Sequence, residues 1–328
     1  MNGAPRVLVT GPIPGPALAV LRAGTVDGVP VVVDTWDGDE PMPRAELLAR
    51  SRDCHGIVCL LTERVDQEVL RAAGRLLRVV ANVAVGYNNL DVPAINEHGV
   101  VATNTPGVLT DATADIALAL ILMTTRRLGE GERIIRSGEP WKWAMSFHLG
   151  TGIVGKRLGI VGLGAIGQAL ALRARACGMT ITYSNRRPVD LDVATALGAQ
   201  FVPLDELVAT SDVVSIHCPY SQQTHHLFDA DLLARMRPDA FLVNTARGPI
   251  VDETALVVAL EQKLIAGAGL DVFEHEPSVH PGLVNRDDVV LLPHLGSATV
   301  ETRTAMAVLA VRNCLAVLND QPPLTPIR

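Results

Sequence analysis

Short runs of Val, Ile and Leu alternate along the chain with stretches whose apolar residues recur at helical spacing. This alternation predicts parallel sheets with crossover helices. In a first block, from Arg6 to about Thr105, the strand candidates are RVLVT, VVVDTW, GIVCLL, RVVANVAVG and GVVATN. Helical spacing falls between them over 17–23, 44–50, 66–73 and 92–98. A second block starts at Lys156. Its strand candidates are RLGIVG, TITYSN, QFVP, DVVSIHC, AFLVNTA, AGAGLDV and VVLLPH, with helices over 165–177, 229–236 and 253–262.

Two further segments stand outside this alternation. LTDATADIALALILMTTRRL (109–128) predicts one long helix, with Asp111 as N-cap and Arg126 and Arg127 complementing its C-terminal dipole. Its middle is apolar all round, which predicts burial between layers or subunits. A polar, Trp-containing stretch follows over 137–155. A last helix, over 298–318, is too small to fold alone and is expected to return to the first block. The predicted fold is α/β, with two doubly wound parallel-sheet domains. A Rossmann-type nucleotide domain (106–296) is inserted in a flavodoxin-like substrate domain (1–105 and 297–328), and the chemistry is expected in the cleft between them.

Composition narrows the classes. A length of 328 residues suits two domains. A net charge of −7 and an aromatic content of 3% argue against nucleic acid, which needs a basic face and stacking platforms. The cysteines (Cys54, Cys59, Cys177, Cys218, Cys314) are odd in number and scattered, as reduced thiols are. The start carries no basic, then apolar, leader pattern, and the longest apolar run, 116–123, is far short of a membrane span. A soluble, cytoplasmic protein with no nucleic-acid or membrane partner is expected.

The candidate chemistry begins at Gly162-Leu163-Gly164-Ala165-Ile166-Gly167, between an apolar strand and an amphipathic helix. In that context G-x-G-x-x-G reads as a dinucleotide fingerprint, not merely a structural turn. Gly162 permits the tight turn, Gly164 lets the backbone approach a pyrophosphate, and Gly167 lets the helix pack on the strand. The next strand of such a unit usually ends in an acid for the ribose 2′-OH, about 20 residues past the glycines. Here the strand TITYSN ends at Asn185, 18 residues past Gly167, and two arginines, Arg186 and Arg187, follow it. Guanidinium groups suit a 2′-phosphate, which an acid would repel, so NADP(H) is the preferred cofactor and NAD(H) the alternative. The competing explanation is a solvated basic loop before Pro188.

Three motifs follow later strands, at the ends where open α/β sheets bind ligands. They are VNTARGPIVDE with Arg247, GLDVFEHEP with Asp271 and Glu276, and LLPHLGSAT with His294. An Arg can hold a carboxylate in bidentate fashion, and a His can move a proton near neutral pH. A carboxylate beside a His can fix its tautomer. With a nicotinamide, the set fits hydride transfer at carbon 2 of a 2-hydroxy or 2-oxo acid. Taken singly, each residue also has a bland explanation; Glu274, His275 and Glu276 could be a solvated turn. His225 and His226 have no partner at metal-ligand spacing, so no metal is expected.

At these positions the chain resembles the D-isomer-specific 2-hydroxyacid dehydrogenases, and it looks most like their glyoxylate and hydroxypyruvate reductases. The matching stretches run through nearly the whole chain: VCLLTERVD, VANVAVGYNNLDV, TNTPGVLTDATAD, GKRLGIVGLGAIGQALA, HCPYSQQTHHL, VNTARGPIVDE, AGAGLDVFEHEP and LPHLGSAT. The resemblance implies that Arg247 binds the substrate carboxylate and carbonyl, that His294 is the general acid for reduction and that Glu276 is its hydrogen-bonded partner. It implies Asp271 at the nicotinamide carboxamide, the Val85 and Gly86 backbone at the substrate carboxylate, and Leu61 nearby. Pro219 and Thr224 would line the cofactor groove, and Thr245, Ala246 and Arg247 would approach the nicotinamide. An Asn-Arg-Arg strand end resembles the NADPH-using members. Homodimers are typical of the family, with the long helix at the interface. The loop bearing Trp141 and Trp143 would shape the substrate pocket or a partner surface. Co-repressors resembling these enzymes keep the Arg, Glu and His, but this chain shows no long tail for recruitment. Formate dehydrogenases resemble the family but carry Gln where Glu276 stands.

Overall fold

The computed structural model describes residues 3–38, 40–138 and 140–327. It divides into two compact units, Met1–Leu109 with Ala298–Arg328, and Thr110–Ser297.

The first unit holds a five-stranded parallel sheet in the order Val32–Thr35, Arg6–Val9, Gly56–Cys59, Val79–Asn82, Val101–Thr103. Numbered along the chain, and leaving aside the hairpin Thr25–Val26/Val29–Pro30, this is the flavodoxin-like order 2-1-3-4-5. The period of two in a strand explains why the apolar runs are unbroken. Val7 and Val9 point to one face and Leu8 to the other, and Val58 and Val79 oppose Ile57 and Val80 in the same way. Both faces are covered, so both alternating sets are apolar. Helix Val300–Leu318, capped by the Thr299 side chain on Thr302 N, lays Ala307, Ala310, Val311 and Cys314 on one of them beside Leu21.

The second unit holds a seven-stranded parallel sheet in the order Ala199–Phe201, Thr180–Ser184, Arg157–Val161, Val213–Ile216, Phe241–Asn244, Gly267–Leu270, Val289–Leu291. This is the Rossmann order 3-2-1-4-5-6 with one added strand. Leu158 and Ile160 face one core, and Val214 and Leu242 the other. Helix Thr110–Thr125 lies against helix Ala165–Ala176 and the strands Phe241–Asn244 and Gly267–Leu270. A side chain at Gly269 would put its Cβ 2.8 Å from Thr124 Oγ1, so this strand stays bare where the helix crosses it.

The segment 109–128 is not one helix. It stops at Thr125, whose carbonyl accepts from Thr151 N at 2.7 Å. Arg127 then turns left-handed (φ 54°), and a second helix, Leu128–Arg136, begins. A hydrogen bond from a segment distant in sequence, invisible to helical periodicity, ends the first helix. Arg127 pairs with Glu130 at 2.7 Å rather than complementing a dipole. Asp111 lies inside the first turn, not at the N-cap, and its carboxylate takes Arg173 Nη2 at 2.9 Å. Among the described residues no helix is long and apolar enough to cross a membrane.

Leu120 is fully buried between this helix and the sheet. Leu120→Ala should destabilise the protein by about 2–5 kcal/mol, read as a lower denaturant midpoint with the protein still soluble.

Candidate active site

The glycine loop follows strand Arg157–Val161. Gly162 adopts φ +102°, and a Cβ there would stand 2.5 Å from Cys218 N, so the position excludes other side chains. At Gly167 a Cβ would stand 2.5 Å from Gly162 O, which brings helix Ala165–Ala176 hard against the turn. Nothing lies within 4 Å of a Cβ placed on Gly164, the residue capping that helix. The helix N-terminus therefore faces open space, where its unpaired N–H groups suit a phosphate. Ala165 is exposed there and Ile166 is half-buried against the core.

A groove of about 960 Å³ opens beside this turn. Its walls include Gly162, Gly164, Asn185, Arg186, Arg187, Pro219 and Thr224. Asn185 Oδ1 accepts from Leu163 N at 2.7 Å, so this side chain braces the glycine loop from the neighbouring strand end. Arg186 and Arg187 are exposed at the rim. Thr224 Oγ1 donates to Pro219 O at 2.9 Å and accepts from Ser221 N at 2.7 Å, which folds its loop back on the groove. His217, also in the wall, bonds Ser215 Oγ at 2.8 Å, and burial pushes its pKa down to about 4, so it stays neutral. Thr245 Oγ1 is buried without a hydrogen-bond partner among the described residues. An orphaned hydroxyl, a bare glycine cradle and a long groove together fit a dinucleotide.

Three strand ends build the acid–base cluster. After Phe241–Asn244, Asn244 turns the chain: its Oδ1 accepts from Ala246 N at 3.0 Å and its Nδ2 donates to Arg247 O at 2.9 Å. Arg247 Nη1 also donates to Ala246 O at 2.6 Å. Burial presses the Arg247 pKa down, and the Glu276 charge opposes this, so the guanidinium stays cationic beside that carboxylate. After Gly267–Leu270, Glu276 Oε1 accepts from Phe273 N at 3.0 Å. After Val289–Leu291, His294 takes a left-handed backbone (φ +54°), and its Nδ1 lies 2.7 Å from Glu276 Oε2. The carboxylate accepts, so the proton of this bond sits on Nδ1. Burial resists ionisation of Glu276, but the His294 bond, the His294 charge, the Phe273 N–H and Arg247 outweigh it and hold the carboxyl below its ordinary value.

Asp271 follows strand Gly267–Leu270. It is fully buried, and its two oxygens accept from Leu295 N at 2.6 Å and Gly296 N at 2.7 Å. Both oxygens hold the His294 loop. Burial raises its carboxyl pKa against these two bonds.

In the first unit, the loops carrying Leu61 and Val85–Gly86 follow adjacent strands. Asn89 Nδ2 ties them by donating to Leu60 O at 3.1 Å. Asn104 Nδ2 holds Val85 O at 2.8 Å, and Asn82 Nδ2 holds Gly86 O at 2.9 Å. Leu61 is exposed, and Val85 and Gly86 are half-buried. Motif reading missed these three asparagines. The available signal was Asn82, a fully buried polar residue closing the apolar strand VVAN. Trp141 and Trp143 are exposed, and Trp141 stacks on Phe147; Glu139, just before them, lies outside the described residues.

Residues 118–296 match the family description "D-isomer specific 2-hydroxyacid dehydrogenase, NAD binding domain". A glyoxylate reductase of Thermococcus onnurineus is 46% identical over 325 residues, 98% of this chain and 95% of the relative. The crystal structure of a glyoxylate reductase from Paecilomyes thermophila superposes with a TM-score of 0.87 at 34% identity, covering 100% of this chain and 99% of that one. The NADPH-dependent glyoxylate/hydroxypyruvate reductase of Sinorhizobium meliloti, solved with NADP and malonate, gives 0.82 at 35% identity, covering 99% and 97%.

With its carboxyl depressed from an ordinary 4.5, Glu276 contributes stability that is fully present above that pH and is lost as pH falls through its lower folded value. In His294→Ala the Glu276 carboxyl should titrate at higher pH than in wild type, followed by ¹³C NMR of the side-chain carboxyl. An unmoved titration would mean that His294 is not what holds it down.

Proposed function

The chain belongs to the D-isomer specific 2-hydroxyacid dehydrogenases, a nicotinamide-dependent enzyme family, and from that premise we propose that it reduces glyoxylate and hydroxypyruvate to the corresponding D-2-hydroxy acids with NADPH. The observation that carries this reading is the 2.7 Å bond between His294 and Glu276 beside the Arg247 guanidinium.

A reduced nicotinamide held in the groove would supply the hydride to carbon 2 of the substrate. Arg247 neutralises the substrate carboxylate and orients the carbonyl, since a planar guanidinium matches both oxygens of an acid. The carbonyl oxygen gains charge as the carbon is reduced, and His294 Nε2 gives it a proton. Glu276 keeps the other ring proton on Nδ1, so the ring stays turned with Nε2 toward the substrate. In the first unit, the N–H groups of Val85 and Gly86 are the candidates for the carboxylate, with Leu61 beside them. Their carbonyls are fixed by Asn104 and Asn82, which orients the peptides between them.

For the cofactor, Gly162 and Gly164 take the pyrophosphate with Ala165 and Ile166 at the helix start, Gly167 lets that helix pack against the turn, and Thr245 and Ala246 lie toward the nicotinamide. Arg186 and Arg187 bind the 2′-phosphate, with no acid at the strand end to repel it. In support, both line the groove and are exposed. A homodimer is part of the proposal. In support, Leu128, Ile135, Trp141, Trp143, Met145 and Leu149 are all exposed within one stretch of the second unit, and exposed apolar clusters mark interaction surfaces. The five unpaired cysteines are in keeping with a cytoplasmic setting.

His294→Ala should lower turnover by about two to four orders of magnitude, measured as NADPH oxidation with glyoxylate. Near-normal turnover would remove His294 from the role. Arg186→Ala should raise the KM for NADPH about tenfold or more and leave that for NADH nearly unchanged. Equal use of the two cofactors by the wild type would make the arginine pair a solvated turn.

A further inference from the structure

Behind the acid–base cluster, two carboxylates lock two loops together. The segment 247–252 runs from Arg247 into helix Glu253–Glu261, and the segment 273–276 ends at Glu276. Glu253 N donates to Glu274 Oε2 at 3.3 Å, and Glu274 N donates to Glu253 Oε1 at 2.7 Å. A third loop joins them. His226 Nε2 bonds Glu274 Oε1 at 2.6 Å, its Nδ1 lies 3.9 Å from Asp252 Oδ2, and its N–H donates to Pro249 O at 2.8 Å. A Cβ on Gly248 would stand 1.8 Å from the Phe273 carbonyl carbon, so the two main loops meet backbone to backbone. Glu253 is buried, and only 16% of the Glu274 side chain is exposed.

None of these groups appears in the mechanism above. We infer that Glu274, clasped between the Glu253 N–H and the His226 imidazole, is a positioning residue that sets Arg247 against the Glu276–His294 pair. This rests on the proposed roles of those three residues. The physical reason is a chain of short links. Glu274 follows Phe273, whose N–H holds Glu276 Oε1, and it fixes the start of the helix that the Arg247 loop feeds. If the Glu274 carboxylate is lost, the loops lose the bond from Glu253 N and the bond to His226 and keep only the Glu274 N–Glu253 link, and a shift of an ångström in reacting groups costs about 100-fold. Desolvated polar groups are also an expensive way to gain stability alone, since apolar side chains of similar volume often do as well. The charged and titratable groups facing the clasp are Asp252, Glu253, His280 and His225, whose ring stacks on His226 at 4.0 Å. Those facing Glu276 are His294, Arg247 and Asp271.

The test is the pH dependence of kcat/KM, with NADPH and glyoxylate, for wild type, Glu274→Ala and Glu274→Gln. In Glu274→Ala, kcat/KM should fall about 10- to 100-fold, with the KM for NADPH changed by no more than about twofold. Its acid limb should move to higher pH, because Glu276 without a well-placed Phe273 N–H is harder to ionise. Glu274→Gln keeps an acceptor for Glu253 N and should recover most of the loss. A fall with an unmoved acid limb is what a merely structural role gives and overturns the inference, as does a Gln variant as impaired as the Ala one. If Glu274→Ala does not fold, His226→Ala, which leaves the two Glu253–Glu274 bonds in place, should move the limb in the same direction; an unmoved limb overturns it. If the wild type reduces no 2-oxo acid, the proposed function fails by itself. The Glu276 carboxyl titration in the cofactor-free protein then decides: a rise in Glu274→Ala supports the clasp, and no change overturns it.

Discussion

A buried carboxylate clamps the end of the sixth strand of the larger sheet. Asp271 gives both oxygens to the N–H groups of Leu295 and Gly296, and its own N–H goes to Asn244 O. An ion in a protein core is costly unless its lone pairs are occupied, and here two short bonds from backbone offset that cost. The bonds also hold His294 in a left-handed backbone that a non-glycine residue adopts only under constraint. Asn244 links this clamp to the third loop by holding Arg247 O. Three loops that would otherwise move independently thus share one buried network, and the side chains proposed for chemistry stand on its outer edge.

The sheets supply the frame for that network. In both units every sheet pairing outside the short hairpin is parallel, so all strand ends of one kind lie along one edge. Loops at the C-terminal edge of such a sheet are where ligands gather. The glycine turn, Arg247, Glu276 and His294 all follow strands of the second unit at that edge, and Leu61 and Val85–Gly86 do so in the first. Rigid strands buried on both faces and loops tied by Asn and Asp side chains place the polar groups within each unit before any ligand arrives, which lowers the cost of organising them.

Much of this could be read along the chain, for reasons that differ by residue. Strands such as Arg6–Val9 and Phe241–Asn244 were legible because burial on both faces leaves an unbroken apolar run. Gly162 and Gly167 were legible because the space beside them admits no side chain. The neighbourhood of Arg247, Glu276 and His294 was suggested by their motifs, yet their contact depends on three strand ends far apart in sequence. Asp111 and Arg127 were misjudged because a cap and a helix end are settled by partners elsewhere, Arg173 in one case and Thr151 N in the other. The bonds from Leu295 N and Gly296 N to Asp271 were not legible, because an acid in such a motif looks the same along the chain whether or not backbone N–H groups lie behind it.

Periodicity, glycine placement and charge at one strand end are local properties. They suffice for the fold class and for the dinucleotide turn. Distances are not local. The 2.7 Å from His294 to Glu276, the burial of Asp271 and the clasp of Glu274 with Glu253 and His226 arise where segments separated by 18 to 48 residues are brought together by the sheet. No pattern along the chain encodes such a meeting, because each partner's own neighbours are satisfied whether or not the other is present.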